Sequence, residues 1–183
     1  MISTAATGLT GVIFNSGADI PADFLTSLQQ AISSELLGRT IDLIKEAGFS
    51  FGFRAVSSQG KSITITKGVS YFQGTRLNLP QATSFLVDFP NQSSTSGYLC
   101  IKAFPVITGY QTHPYNGNRL SVESQVGLKV YVDTNAPYVS GSGGYYSSDN
   151  TGLIICKLSI ITGGYSIDNS IRSPYVKMVD GSV

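Results

Sequence analysis

Short runs of alternating polar and apolar residues follow one another between residues 49 and 80, and a glycine marks each corner between them. Residues 62–66, 69–72 and 75–79 show the period of two that is typical of a half-buried strand. Lys67-Gly68 and Gln73-Gly74 have the composition of tight turns. The pattern predicts a three-stranded β-meander whose apolar face needs a cover.

A helical pattern comes directly before this meander, at residues 19–48, with Pro21 in the first turn and Gly48 as a stop signal. Its apolar residues form two stripes. The first stripe contains Phe24, Leu25, Leu28, Ala31 and Ile32. The second contains Leu36, Leu37, Ile41 and Ile44. The offset between the stripes indicates that the two halves face different partners, or that the helix bends near Gly38.

Two arrangements of this helix remain open. In one, the whole helix lies across the sheet and covers it. In the other, its first half packs on further copies of the chain through Phe24, Leu25, Leu28 and Ile32, and only its second half covers the sheet. Residues 1–18 predict an extended arm, which becomes ordered only by docking on something else.

The remainder of the chain has the pattern of a β-rich domain that covers residues 49–183. Residues 81–87 predict a linker or a short strand. Further strands are predicted at 98–108, 119–133, 153–162 and 165–171. Pro105 indicates an edge, a bulge or a strand end, Gly127 a bulge or turn, and Gly163-Gly164 a hairpin. The expected fold is mainly β, an antiparallel β-sandwich or barrel-like domain of short hairpins, with one long N-terminal α-helix.

Composition supports a sheet protein and narrows the classes of partner. The chain has 183 residues, 20 of them glycine, and 12 basic against 11 acidic residues without a basic run. This balance disfavours nucleic acid and a membrane surface as partners, because both are bound through clustered Lys and Arg. No stretch approaches the roughly 20 apolar residues that span a bilayer, and no secretory signal is visible. We therefore expect synthesis in a cytoplasm, where Cys100 and Cys156 remain reduced, buried hydrophobic residues.

The sequence offers little catalytic chemistry. His113 is the only histidine, and Cys100 lies within a strand pattern instead of at an exposed elbow. Asp133, Asp149 and Asp168 are far apart and show no metal-ligand spacing. No glycine-rich loop opens a helix after a strand, as a nucleotide cradle requires. The prediction is a protein that is not an enzyme and uses no cofactor or metal.

Two loops rich in tyrosine are the most function-like surface. Residues 109–118 and 134–152 supply aromatic faces of the kind that bind a sugar ring or a protein partner. Their candidate binding residues are Tyr110, His113, Tyr115, Tyr138, Tyr145 and Tyr146. The alternative is that these tyrosines only cap the ends of the β-domain.

Four segments, in this order, resemble structural proteins of bacteriophage tails, the baseplate and tail-fibre attachment components. They are IPADFLTSLQQAISSELLGRTIDLIKEAG, SITITKGVSYFQGTRLNL, RLSVESQVGLKVYV and LIICKLSIITGGYSIDNSIR, the last of which ends at Arg172. The resemblance implies a non-enzymatic virion protein that connects the baseplate or tail to a fibre. It also implies a homotrimer, with other tail or baseplate proteins as further partners. The alternative is a carbohydrate- or receptor-binding module that uses the tyrosine loops.

Overall fold

The computed structural model describes residues 22–90, 93–112, 115, 117 and 119–178. Within these residues a helix, α1 (Ala22–Leu43), precedes fourteen strands. The strands are β1 (Ile44–Glu46), β2 (Gly48–Gly52), β3 (Ala55–Gln59), β4 (Ser62–Ile65), β5 (Gly68–Phe72), β6 (Thr75–Leu79), β7 (Thr83–Leu86), β8 (Ser96–Thr112), β9 (Arg119–Asp133), β10 (Tyr138–Val139), β11 (Tyr145–Tyr146), β12 (Leu153–Ile161), β13 (Gly164–Asp168) and β14 (Lys177–Met178). In this part of the chain, no helix is both long and apolar enough to cross a lipid bilayer.

The strands are arranged in four antiparallel sheets. The largest has the order β10-β11-β12-β8-β9, and β13 also pairs with β12. Two three-stranded sheets have the orders β2-β5-β6 and β3-β4-β7, and β1 pairs with β14. The prediction of a mainly antiparallel β-fold with one helix is confirmed. The hairpin at Gly163 is also as predicted, because β12 and β13 pair from Lys157 to Asp168 across it.

The hydrophobic core draws side chains from the six-stranded sheet and from both three-stranded sheets. Fully buried examples are Phe49 of β2, Ile63 of β4 and Leu153 of β12. None of the described side chains of α1 belongs to this core. The apolar face of the predicted meander is therefore covered by another sheet, and not by the helix as expected.

The predicted meander is wrong in its pairing. The three strands form, but β4 pairs with β3 and β7, whereas β5 pairs with β2 and β6. The chain crosses from one sheet to the other at Thr66 and Lys67, where Thr66 N donates to Arg54 O and Lys67 O accepts from Phe53 N. Alternation of polar and apolar residues shows that one face of a strand is buried, but it does not identify the neighbouring strand.

The helix also differs from its predicted extent. It ends at Leu43, four residues before the predicted end at Ala47, and Ile44–Glu46 forms strand β1. A partner strand is available there, because β14 runs antiparallel to β1 with Ile44 opposite Met178. The arm 1–18 and the first predicted helical residues, 19–21, lie outside the described residues.

A half-buried arginine, Arg172, joins the two sides of the core. Its Nη1 donates to Phe53 O and its Nη2 to Gly52 O, each at 2.6 Å. The guanidinium carbon lies 3.9 Å from the centroid of the Phe49 ring. Among the described residues no carboxylate pairs with it, so backbone carbonyls and an aromatic face balance its charge. Burial lowers the pKa of Arg172 below its ordinary value.

The two accepting carbonyls belong to an unusual turn. Gly52 has φ of 67° and Phe53 has φ of 51°, so two successive residues occupy the left-handed region. This conformation is costly for phenylalanine, which has a Cβ atom. The burial of the Phe53 ring and the two bonds from Arg172 hold the turn in place.

The residues after Arg172 tie β2 to β12. Two hydrogen bonds join Ser173 to Ile154, since Ser173 N donates to Ile154 O at 2.9 Å and Ile154 N donates to the side-chain Oγ of Ser173 at 2.7 Å. On the other side, Phe49 N donates to Pro174 O at 2.9 Å and Val176 N donates to Phe49 O at 3.0 Å. This segment therefore lies between the two sheets as an extended connector.

We predict that Arg172→Lys lowers the free energy of unfolding by about 2–3 kcal/mol, because the lysine ammonium lacks the planar fork with which two guanidinium nitrogens each reach one carbonyl, and a buried acceptor loses its donor. Chemical denaturation measures the change. Arg76→Lys, at an exposed position of β6, is the matched control and should stay within about 0.5 kcal/mol of the parent chain. Equal effects of the two substitutions would contradict the bridging role of Arg172.

Candidate functional site

The described part of helix α1 carries apolar side chains that the other described residues do not cover. Leu25 is 48% exposed, Ile32 49% and Leu36 61%, and Leu28 between them is partly exposed. These four residues recur every three or four positions, so they share one face of the helix. We call this set, Leu25, Leu28, Ile32 and Leu36, the helix stripe. The sequence placed Leu36 in the second stripe, but its spacing continues the first.

The predicted oligomer contacts fall largely on the helix stripe. Leu25, Leu28 and Ile32 belong to it. Phe24 lies on the described backbone of α1, but its side chain lies outside the description. Gln29 and Ser33 flank the stripe on one side, and the exposed ion pair of Glu35 and Arg39 lies beside its C-terminal part. An uncharged apolar face can be buried by another molecule without the desolvation penalty of an ion.

The second half of α1 is attached to the domain through a different face. A methyl group placed on Gly74 would lie 2.6 Å from Leu37 Cδ1 and 2.9 Å from Ile41 Cγ1, so these two side chains pack directly on the β5–β6 turn. Gly74 has φ of 75°, which also favours glycine at this position. The helix thus rests on a turn, and its stripe points elsewhere.

The attachment of α1 is incompletely packed. A cavity of about 370 Å³ lies between its last turn, at Thr40 and Leu43, and the aromatic residues Phe49, Tyr71 and Tyr175. This space is a groove that is open to solvent. The helix is therefore held by its C-terminal end and by β1, with limited contact to the body of the domain.

The structure does not bring the two tyrosine loops together. Tyr115 lies at the turn between β8 and β9 and is 93% exposed, whereas Tyr138 and Tyr145 follow the other end of β9. The 15 residues of β9 separate them by roughly 50 Å. His113 lies outside the described residues, and so does the side chain of Tyr110. A single binding site cannot include both loops.

The second tyrosine loop divides into structural and exposed residues. Tyr146 is buried, and its hydroxyl donates to Ala47 O at 3.0 Å, so it contributes to the core. Tyr138 and Tyr145 are exposed on the short β10–β11 hairpin. Only these two remain available as contact residues in this loop.

A compact turn at Ser147–Gly152 closes this loop. Ser147 Oγ donates to Asp149 Oδ1 at 2.7 Å and accepts from Gly152 N at 2.8 Å, while Thr151 Oγ1 donates to Asp149 Oδ2 at 2.6 Å. The hydroxyls of Thr151 and Ser147 stabilise the carboxylate and lower the pKa of Asp149 to about 2. These bonds hold the loop in one conformation.

Groups suited to catalysis or metal binding are not gathered in the described part of the chain. No cluster of three or more His, Cys, Asp or Glu side chains occurs there. Cys100 and Cys156 are buried free thiols, as the sequence predicts. Burial raises the pKa of both thiols, that of Cys156 to about 12, so they remain protonated and unreactive near neutral pH.

No protein-family model matches this chain, and no curated protein matches it in sequence. Among solved structures, it is similar to a chain of the type VI secretion system TssK-TssF-TssG baseplate subcomplex, determined by cryo-electron microscopy. The TM-score is 0.42 and the sequence identity 10%, over 86% of this chain and 59% of that chain. This chain therefore spans little more than half of the length of its structural neighbour. A similarity of this size does not establish a common fold.

We predict that Gly74→Ala loosens the attachment of α1, because the added methyl group would displace Leu37 and Ile41 from the turn. Hydrogen exchange of the backbone amides of residues 37–43 should accelerate. The matched control is Gly60→Ala, since Gly60 also has a positive φ, 57°, but nothing lies within 4 Å of its added methyl group. Identical exchange in the two variants would show that the helix does not rest on Gly74.

The turn at Asp149 generates a prediction on pH. Because the pKa of Asp149 in the folded chain is about 2, below the ordinary value near 3.9, the carboxylate stabilises the fold above about pH 4, and this contribution is lost as the pH falls towards 2. Asp149→Asn should therefore weaken the decline of unfolding free energy in that range. Denaturation at several pH values compares the variant with the parent chain, and parallel curves would contradict the assignment.

Proposed function

We propose that this chain is a non-enzymatic structural component of a phage tail or a related baseplate, and that helix α1 makes its subunit contacts. The observation that carries the proposal is the helix stripe, a face of four large apolar residues that the described part of the chain leaves exposed. Exposed apolar patches of this kind mark sites of protein association. The resemblance of the sequence to baseplate and tail-fibre attachment proteins supports the same role.

The energy available from the helix stripe limits how the contact is made. Burying the exposed half of a leucine or isoleucine side chain contributes about 1 kcal/mol, so the stripe contributes about 4 kcal/mol. Association costs about 4–15 kcal/mol in lost translational and rotational freedom. A pair of copies joined by the stripe alone is therefore unstable. Additional contact area, or a closed ring in which every copy uses two contacts, is needed.

The partners proposed are further copies of this chain and other tail or baseplate proteins. The resemblance to fibre-linked tail components implies a trimer. It also implies that the protein is made in a bacterial cytoplasm and is then located in the virion tail. The arm 1–18, which lies outside the described residues, is proposed to dock on an adjoining tail protein. In this arrangement the protein connects the baseplate or tail to a fibre.

The alternative, a carbohydrate- or receptor-binding module, has weaker support. Its aromatic residues are divided between the two ends of β9, and Tyr146 is committed to the core. Tyr138 and Tyr145 could still contact a ligand as an exposed pair. Screening on a glycan array with Tyr145→Ala as the control distinguishes this function from the one proposed.

We predict that Leu28→Asp dissociates the oligomer, because a carboxylate would be buried without a partner in the subunit contact. Light scattering measures the mass in solution, and circular dichroism verifies that the fold is retained. Leu86→Asp is the matched control, since Leu86 is an exposed leucine of β7 away from α1. An unchanged mass for Leu28→Asp, or a monomeric parent chain, would overturn the proposal.

A further inference from the structure

The hairpin of β8 and β9 extends beyond the sheet that supports it. The two strands pair along their whole length, from Tyr98 opposite Asp133 to Thr112 opposite Arg119. On its other side, β8 pairs with β12 only as far as Ile101, which lies opposite Leu153. Past Ile101, no strand among the described residues covers that side of β8. We call the projecting part, residues 102–112 and 119–129, the ribbon.

One face of the ribbon continues the hydrophobic core outward. Residues at every second position of a strand share a face, and residues directly opposite each other on paired strands point to the same side. The core residue Ile101 is followed on its face by Ala103, Pro105 and Ile107, which lie opposite Leu128, Val126 and Ser124. We call Ala103, Pro105, Ile107, Val126 and Leu128 the ribbon face.

The ribbon face becomes exposed with distance from the domain. Ile101 is fully buried, and Ala103 and Leu128 are partly buried against the core. Farther out, Val126 is 61% exposed and Ile107 46% exposed. The side opposite is mixed, because Lys102 and Lys129 lie nearest the domain and Phe104 and Val106 follow them outward. The apolar side therefore has the composition of a core that the described chain does not complete.

The ribbon needs additional contacts to be stable. A two-stranded hairpin on its own is marginal in water. The outer edge of β8 is poorly suited to pairing with a further strand, because Pro105 provides no backbone donor and β8 is irregular around Gly109. A partner is therefore expected to cover the ribbon through its apolar face and not along its edge.

The helix stripe cannot continue as a coiled coil. A seam that repeats every seven residues and contains Leu25, Leu28 and Ile32 next reaches positions 35 and 39. Those positions hold Glu35 and Arg39, whose side chains form an exposed ion pair at 3.0 Å. A self-pairing helix would bury both charges after one heptad. A flat apolar surface is a better counterpart for so short a stripe.

We propose that the helix stripe of one copy packs on the ribbon face of a second copy. This inference rests on the proposed function and names the surface that α1 contacts. The two surfaces are of comparable length, since Leu25 to Leu36 spans about 16 Å along a helix and Ala103 to Ile107 about 13 Å along a strand. Both are apolar and uncharged. Neither is covered by other described residues of its own chain, so each remains available to a neighbour.

A contact between two different surfaces of identical chains is heterologous, and it either closes into a ring or continues as a filament. Each copy then uses its stripe once and its ribbon once. Two contacts per copy supply the additional buried area that the helix stripe lacks on its own. Closure into a ring is the form that a baseplate component requires.

The test mixes two variants with defects on different surfaces. Leu28→Asp disables the stripe, and Val126→Asp disables the ribbon face. Each alone should be monomeric, with the dissociation constant raised at least about 30-fold. Mixed in equal amounts at high concentration they should form a heterodimer that is weaker than the parent assembly, because one contact that buries both an intact stripe and an intact ribbon face remains, but no ring can close. Phe104→Asp, with the same charge on the opposite side of the ribbon, is the matched control and should assemble like the parent chain.

Other outcomes separate this inference from the proposed function. If Leu28→Asp is monomeric but Val126→Asp assembles normally, α1 contacts another surface, so the inference fails and the proposed function stands. If both are monomeric and the mixture does not associate, the stripe and the ribbon do not contact each other, and the inference fails. If Phe104→Asp also dissociates, the assigned face is wrong. If Leu28→Asp assembles normally, both proposals fail.

Discussion

A charged guanidinium with no carboxylate partner among the described residues organises this fold. Arg172 is solvated by the carbonyls of Gly52 and Phe53 and by the ring of Phe49, and it can bond these groups only if the chain turns sharply after β2. The left-handed turn lies between β2 and β3, and it directs these two strands into different sheets. Without the arginine, two buried acceptors would lose their donors. The division of the small strands into two sheets thus depends on a residue about 120 positions away in the chain.

The same constraint determines where the helix can lie. Residues after Arg172 bond to Phe49 and continue into β14, and β14 is the partner of β1 at the end of α1. The helix is consequently fixed at its C-terminal end, where Leu37 and Ile41 meet the turn at Gly74. Its first half extends away from the body with the helix stripe uncovered. An exposed apolar face is thus a consequence of how the domain closes, and it supports the role in assembly proposed here.

Local patterns predicted the elements of this fold better than their arrangement. Alternation located β4, β6 and β12, because the burial of one strand face produces a period of two in the sequence. Glycines located the turns at Gly74 and Gly163, but Gly127, predicted as a bulge or turn, pairs with Phe104 inside β9. Pairing was not predictable, since β4 and β5 are adjacent in sequence and lie in different sheets. The end of α1 was predicted wrongly because Ile44 continues the helical spacing, whereas in the structure Ile44 pairs with the distant strand β14. The bridging role of Arg172 had no local signal at all.

The two candidate surfaces also differ in how well the sequence predicts them. Leu25, Leu28 and Ile32 could be identified from their spacing, whereas the ribbon face could not. Its residues have the pattern of an ordinary buried strand, and only the position at which β12 stops reveals that they are exposed. Sequence patterns record which side of a strand is apolar, but they do not record how far the supporting sheet reaches.

The pairing of β1 with β14 has a consequence for the order of events during synthesis. A ribosome releases α1 first, but the strand that holds its base, and the segment at residues 173–176 that bonds β2, emerge only after the rest of the β-domain. Until then the helix has no fixed direction, and its apolar stripe cannot be presented to a neighbour in the right orientation. Under the role in assembly proposed above, incomplete chains are thereby kept from associating through this face. Because the C-terminal residues orient the helix, only chains whose domain has already folded can associate through it.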